Sequence, residues 1–343
     1  VKKVFSVFLA ALLLFAFASC DGTGSYDVGK GTVESGKNYV ILPDTVSDSL
    51  KFETEGNGYF YSVYGRHVEI TRYVGDDTEV KIPAGLDNRP VTVIAEGAFS
   101  DRLSLESVDI PDTVTTIGAH AFERCRSLKT VTGGKGVVSI GKSAFAYTES
   151  LTEFAWETSA LRTIDEYAFT WCTSLTTVKI PASCNNIASY AFRCCTALTD
   201  VTFADNAVDT LGDQVFYGCS ALTALVFPKV TQSCGESLFG ECSSLKDLTF
   251  FSTVTEIPKR AFQMCTALTE VFIPTHVTTV SAFAFANCTA LEKVTFEGNM
   301  TSIGEHCFLR VNDLTVAGIK GSASEYYTIN RADGSNWVFE PLP

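Results

Sequence analysis

Residues 136–143 read GVVSIGKS and satisfy the pattern G-x-x-x-x-G-K-[ST]. In a phosphate-binding loop the glycines let backbone N–H groups cradle phosphates, the lysine reaches the terminal phosphates, and the hydroxyl helps hold Mg²⁺. Cysteine supplies a second candidate chemistry. Of the 12 in the chain, Cys125, Cys172, Cys195, Cys219, Cys242, Cys265 and Cys288 each lie three residues after a phenylalanine. Such a series could form disulfides, ligate a metal, or serve as small buried hydrophobes. The four histidines, His67, His120, His276 and His306, offer less. None belongs to an H-E-x-x-H pair and none accompanies a G-x-S-x-G serine.

Any of these groups acts only if the surrounding elements hold it in place, and those elements repeat. Phe99, Phe122, Phe145, Phe169, Phe192, Phe216, Phe239, Phe262, Phe285 and Phe308 each precede a leucine by six residues, from Leu105 to Leu314. The steps between them are 23 or 24 residues throughout. A period in the twenties signals a solenoid, in which no unit can bury its apolar face alone. The stretch SLESVDIPDTVTTIGAHAF shows the slots of one unit. Val108 and Ile110 point the same way from a strand. Pro111, Pro181, Pro228 and Pro274 follow the strands, where a missing N–H ends ladder pairing. Ile117, Ala121, Phe122 and Cys125 share a face at helical spacing, which predicts strand, turn, second extended piece and a helical turn per coil.

That period absorbs the octapeptide. Val137, Ile140 and Gly141 stand in the slots of Val114, Ile117 and Gly118 in the preceding unit. A working phosphate loop opens a helix of useful length, yet fewer than ten residues separate Lys142 from Leu151, where the next strand segment opens. No nucleotide site is expected, and the period leaves Gly136, Lys142 and Ser143 without a role. For the cysteines, equivalent side chains in stacked coils run parallel rather than facing, and no C-x-x-C pair or Cys/His cluster suggests zinc. Buried free thiols are the favoured reading. His120 and His306, two residues before a repeat phenylalanine, read as solvated surface positions.

The amino terminus, VKKVFSVFLAALLLFAFASC, has Lys2 and Lys3 ahead of an apolar run from Val4 to Ala18. Fifteen residues suit a secretory signal better than a membrane span, which needs about 20. Phe17-Ala18-Ser19-Cys20 resembles the lipobox of bacterial lipoproteins, which implies cleavage before Cys20 and acylation of that cysteine. Several acyl chains would anchor the protein stably, whereas one alone is marginal. The Gly-, Ser- and acid-rich segment to Lys37 then reads as a tether. Alternating aromatic and polar residues over 38–79 predict short antiparallel strands. Formal net charge is −13, which disfavours nucleic acid as a partner.

The strand pattern L-x-x-V-x-I followed by I-G-x-x-A-F-x-x-C resembles the BspA-like leucine-rich repeat family. Leu268-Thr-Glu-Val271-Phe-Ile273-Pro274 and Leu291-Glu-Lys-Val294-Thr-Phe296 carry the likeness most closely, over about residues 80–320. The expected fold is an α/β solenoid of about ten 23–24-residue units with a cap at each end. Its divisions are a signal peptide (1–19), a lipidated tether (20–37), a β-rich cap (38–79), the solenoid (80–320) and a closing cap (321–343). The closing segment is expected to hold a short helix around Ser324–Asn330 and a strand at Trp337–Glu340.

The resemblance implies a cell-surface adhesin for host matrix proteins or other cells, held in the outer membrane through Cys20. A periplasm-facing envelope scaffold is the alternative, because Asp21 resembles an inner-membrane retention signal. No enzyme activity, cofactor or metal is called for. On the outward strand face, residues eight and ten positions after each phenylalanine are mostly threonines and acids. Ala224, Val226 and Phe272 break that row, and with Asp247, Thr249 and Glu270 they form the candidate partner-binding patch.

Overall fold

The computed structural model describes residues 39–41, 51–53, 58–154, 160–204, 207–329 and 336–343. The repeat winds into a β-solenoid whose coils each contribute to three faces. Four-residue strands such as Ser107–Ile110 and Thr130–Gly133 pair in parallel on the first, with Val108 opposite Val131. Two-residue strands such as Thr116–Ile117 and Ser139–Ile140 pair in parallel on the second. The phenylalanine segments form the third. The ten phenylalanines share one spine, with neighbouring ring centroids 4.8 Å apart at Phe99–Phe122, 5.2 Å at Phe192–Phe216 and 6.0 Å at Phe239–Phe262. Every one of these rings is buried.

The third face corrects the expected helical turn, and with it the α/β class. Residues two before and two after every repeat phenylalanine have left-handed φ, from Gly97 (64°) and Asp101 (57°) to His306 (55°) and Arg310 (62°). Alternate peptide groups therefore point in different directions. In the Phe122 coil, His120, Phe122 and Arg124 donate their N–H groups to the next coil, at Lys142 O (2.8 Å), Ala144 O (2.7 Å) and Ala146 O (2.8 Å). Glu123 and Cys125 instead donate back within the coil, to His120 O (3.1 Å) and Phe122 O (3.2 Å). A helix would turn all of these donors along its own axis and leave none for the neighbour. The segment is a third inter-coil ladder made of turns. Among the described residues the only helix is Ala323–Ile329, after the last coil.

An eleventh turn precedes the ten that the sequence pattern shows. Strands Tyr59–Tyr64 and His67–Tyr73 form an antiparallel hairpin, and the second of them pairs in parallel with Arg89–Ile94. Tyr73 donates its N–H to Ala98 O (2.7 Å), the bond a repeat phenylalanine makes, and its ring lies 5.1 Å from Phe99. At the other end, Tyr327 and Trp337 set their rings 6.2 and 5.9 Å from Phe308. Strand Val338–Pro341 extends the long-strand sheet beside Thr315–Gly318.

The short-strand sheet breaks once within the array. It runs as far as Lys229–Cys234 and resumes at Glu256–Ile257. Thr231 and Cys234 occupy the slots of Val114 and Ile117 and are exposed, so this strand lacks its inward anchors. In the next coil Pro258 sits where Gly235 donates to Leu211 O (2.8 Å) and Ser281 to Ile257 O (2.9 Å), and it has no N–H to give.

Two substitutions separate spine from turn. Phe192→Ala should lower stability by about 3–5 kcal/mol in urea unfolding, as expected for a buried ring that leaves a cavity. Met264→Gly, at φ 66° on the surface, should raise it by about 0.5–1 kcal/mol, since relief of a left-handed side chain outweighs the added chain entropy.

Candidate functional site

The octapeptide lies within one coil, around the short strand Ser139–Ile140, rather than at a helix start. A Cβ added to Gly136 would fall 2.1 Å from Asp112 O, and one added to Gly141 would fall 2.7 Å from Ala119 N. Both glycines therefore serve close approach of the preceding coil. Lys142 Nζ meets Glu166 Oε2 of the next coil at 2.9 Å, and that bond raises the lysine pKa. Ser143 is the left-handed residue two before Phe145 (φ 53°). Gly136, Lys142 and Ser143, which the period alone leaves without a role, all have stacking roles.

All eleven described cysteines are free. The seven repeat thiols share one geometry: each Sγ donates to the carbonyl of the preceding coil's phenylalanine. Examples are Cys125 to Phe99 O (3.1 Å), Cys195 to Phe169 O (3.3 Å) and Cys288 to Phe262 O (3.2 Å). That carbonyl already accepts an N–H in its own coil, as Phe99 O does from Arg102 (3.3 Å), so the thiol satisfies its second lone pair. Cysteine suits the slot because it packs as a small hydrophobe while carrying a weak donor. Burial pushes the Cys125, Cys172, Cys242 and Cys288 thiols up to about 12, and Cys195, Cys219 and Cys265 are raised well above their ordinary value for the same reason. These are structural thiols, not nucleophiles. Adjacent Cys194 is half-buried with φ 59°, on the surface side of Cys195.

No group of three His, Cys, Asp or Glu among the described residues could hold a metal ion. His120 is not simply solvated: it takes the left-handed slot (φ 55°) and its Nδ1 lies 2.9 Å from Glu123 Oε2. His306 occupies the same slot one array-end away, 5.2 Å from the Phe283 ring. Packing leaves an internal gap of about 10 Å³ lined by residues that include Ile110, Val131 and Phe154, room for one water at most.

On the long-strand face, Ala224, Val226, Asp247, Thr249, Glu270 and Phe272 are all exposed and alternate with the buried Leu225, Leu248 and Val271. Val226 is 51% and Phe272 52% exposed. Ala224 stands opposite Asp247 and Val226 opposite Thr249 in register. Glu270 and Phe272 pair instead with Lys293 and Thr295, so the ladder is interrupted between Thr249 and Phe272. Cys20 lies outside the described residues. A further set of exposed apolar groups, Tyr147, Trp171 and Met264, sits two residues after a repeat phenylalanine on the turn face. Sequence reasoning passes over it, because bulky residues at those places do not advertise a left-handed backbone.

Stacked parallel coils with a leucine and a phenylalanine at fixed offsets define a leucine-rich repeat solenoid. The family model described as "BspA type Leucine rich repeat region" matches residues 92–210 and 185–315 in six copies, and the chain belongs to that family. A Treponema pallidum leucine-rich repeat protein is 31% identical, with a TM-score of 0.51 over 57% of this chain and 91% of that one. A leucine-rich cell surface protein of Faecalibacterium prausnitzii is 26% identical over 84% of this chain and 100% of that one, with a TM-score of 0.35. A Bacteroides ovatus leucine-rich repeat protein is 21% identical with the same shares covered and a TM-score of 0.38. No curated protein matches the chain.

The thiol geometry is open to two measurements. A thiol reagent at neutral pH should modify exposed Cys234 in the native protein, and the buried cysteines only after unfolding; a shortfall in the denatured count would reveal bridges. Folding should also weaken above pH 9. Unfolded thiols ionise near the ordinary 9.0 while Cys172 and its equivalents hold their protons to about 12. Their contribution is thus full below about 9 and is lost as pH rises through that window, as urea midpoints measured across it should show.

Proposed function

We propose that this chain is an exported bacterial lipoprotein whose solenoid presents a protein-binding face to the outside of the cell, as an adhesin for host matrix proteins or other cells. The observation that carries the reading is the pair Val226 and Phe272, each about half exposed on a strand face lined mostly by threonines and acids. Apolar side chains standing out of a rigid sheet are what a partner buries at the centre of an interface. Asp200, Asp247 and Glu270 surround them without an ion pair, so a partner with a basic rim fits best. Membership of a repeat family favours surface recognition over small-molecule chemistry.

The export signal, Cys20 and the tether to Lys37 support display at a membrane. Asp21 favours the second reading, an envelope scaffold that faces the periplasm.

Protease treatment of intact cells separates the two: loss of the protein marks the surface, and survival marks the periplasm. Binding of the purified protein to immobilised matrix proteins should drop by at least about tenfold in the double variant Val226→Asp, Phe272→Asp. Retained binding would remove this patch as the contact.

A further inference from the structure

The break in the short-strand sheet has a cause on each of its sides. Strand Lys229–Cys234 pairs with Ala207–Leu211 of the preceding coil, but Thr231 and Gln232 together face the single residue Asp209. That is a β-bulge, which bends a strand and disrupts its ladder. From Thr231 to Cys234 every side chain is exposed, where a strand lying on the core would bury alternate ones. Across the junction Pro258 offers no N–H. Among the described residues, no backbone bond joins 229–235 to 252–258.

The junctions on either side close at the same place. Gly235 donates to Leu211 O (2.8 Å) before the break, and Ser281 donates to Ile257 O (2.9 Å) after it. The other two faces also close across the broken junction. On the turn face Ser237 donates to Lys259 O (2.9 Å) and Glu241 to Gln263 O (2.8 Å). On the long-strand face Lys246 donates to Thr223 O (2.9 Å) and Phe251 to Phe227 O (3.1 Å). The spine is nonetheless wider here than at its other steps, 6.0 Å between Phe239 and Phe262 against 4.8–5.6 Å. The long-strand sheet is interrupted too, before Ala224 and before Glu270, yet the rings there stay 5.2 and 5.4 Å apart.

Two closed ladders and one open ladder define an axis. The corner furthest from the open face is where the turn face runs into the long-strand face, around Cys242–Leu245. Rotation about that corner parts the short-strand edges and stretches the remaining bonds least. A contact at the opposite side restrains it. Glu236 Oε1 meets Lys259 Nζ at 3.0 Å and Glu236 Oε2 meets Arg260 Nη1 at 3.4 Å, so one carboxylate holds two cations of the next coil. All three side chains are 40–47% exposed, which leaves the contact open to screening by salt.

We infer that the junction between the Phe239 and Phe262 coils is a hinge, which opens on the short-strand face and is latched by Glu236 against Lys259 and Arg260. The hinge rests on backbone pairing and on this ionic contact, and is independent of the adhesin reading.

The test is hydrogen exchange of the whole protein, resolved to single amides and read at donors that are bonded in the turn ladder. Ser237 and Phe239, which donate across the hinge, should exchange at least about tenfold faster than Tyr190 and Phe192, the same donors at a junction closed on all three faces. Glu236→Gln should speed Ser237 and Phe239 a further two- to fivefold, about the scale of a surface ion pair, and leave Tyr190 and Phe192 unchanged. In the parent, about 1 M NaCl should reproduce that effect, and in the variant it should add nothing. As a control, Glu166→Gln removes the Lys142 contact at a closed junction and should leave Ser143 and Phe145 unchanged. Equal exchange at Ser237 and Tyr190 would make the break a static bulge and overturn the hinge. So would acceleration by Glu236→Gln spread evenly along the array, which marks a loss of global stability. Exchange at Ser237 that ignores both Glu236→Gln and salt would overturn the latch.

Discussion

Successive coils keep their phenylalanine rings 4.8–6.0 Å apart along a single buried spine. That spacing is also the distance at which extended backbones exchange hydrogen bonds, so one rise serves both ring contact and backbone pairing. Three ladders have to close at that rise simultaneously. The two strand faces do so in the ordinary parallel manner. The third face has only the residues around each phenylalanine, which must turn the chain and still offer donors to the next coil. Left-handed residues at fixed offsets achieve both, because they reverse alternate peptide groups. Each non-glycine among them costs about 1–2 kcal/mol, and shared ladder bonds along the array offset that cost.

The same requirement explains the residues that first suggest chemistry. A phenylalanine carbonyl that accepts one bond in its own coil has a lone pair left over in a dry environment, and leaving it unmet is costly. The cysteine of the following coil fills the volume and supplies the donor. Gly136 and Gly141 are small because backbone passes close by, and Lys142 is there to meet Glu166. Catalytic groups usually occupy hollows with mismatched charges. These groups are spread along a filled core, each with its partner, and the array repeats the same solution coil after coil.

Individual coils depart from the repeat on their outer surfaces. The strand face departs at Val226 and Phe272, and the turn face at Tyr147 and Trp171. A rigid stack suits recognition, since side chains at equal offsets form straight rows without needing further order on binding. The break after Lys229–Cys234 is a departure of another kind. There the short-strand sheet is interrupted while the turn ladder continues, as in Phe239 N to Ala261 O at 2.9 Å.

By itself the sequence determined the solenoid, the spine and the inward slots, because core position repeats locally with the chain and apolar residue types report it directly. It also marked the alternation that leaves Val226 and Phe272 facing outward. The helical spacing of Ile117, Ala121 and Phe122 was misleading, since three inward groups at such offsets fit a chain of tight turns equally well. Only the tertiary structure decided the left-handed rows, the eleventh turn at Tyr73, the second lone pair met by each thiol, and the interrupted sheet at Pro258. Each of these depends on what the neighbouring coil presents at that point. A donor and its acceptor 23 residues apart leave no mark on the residues between them, and a tyrosine or tryptophan held at positive φ is spelled like any other.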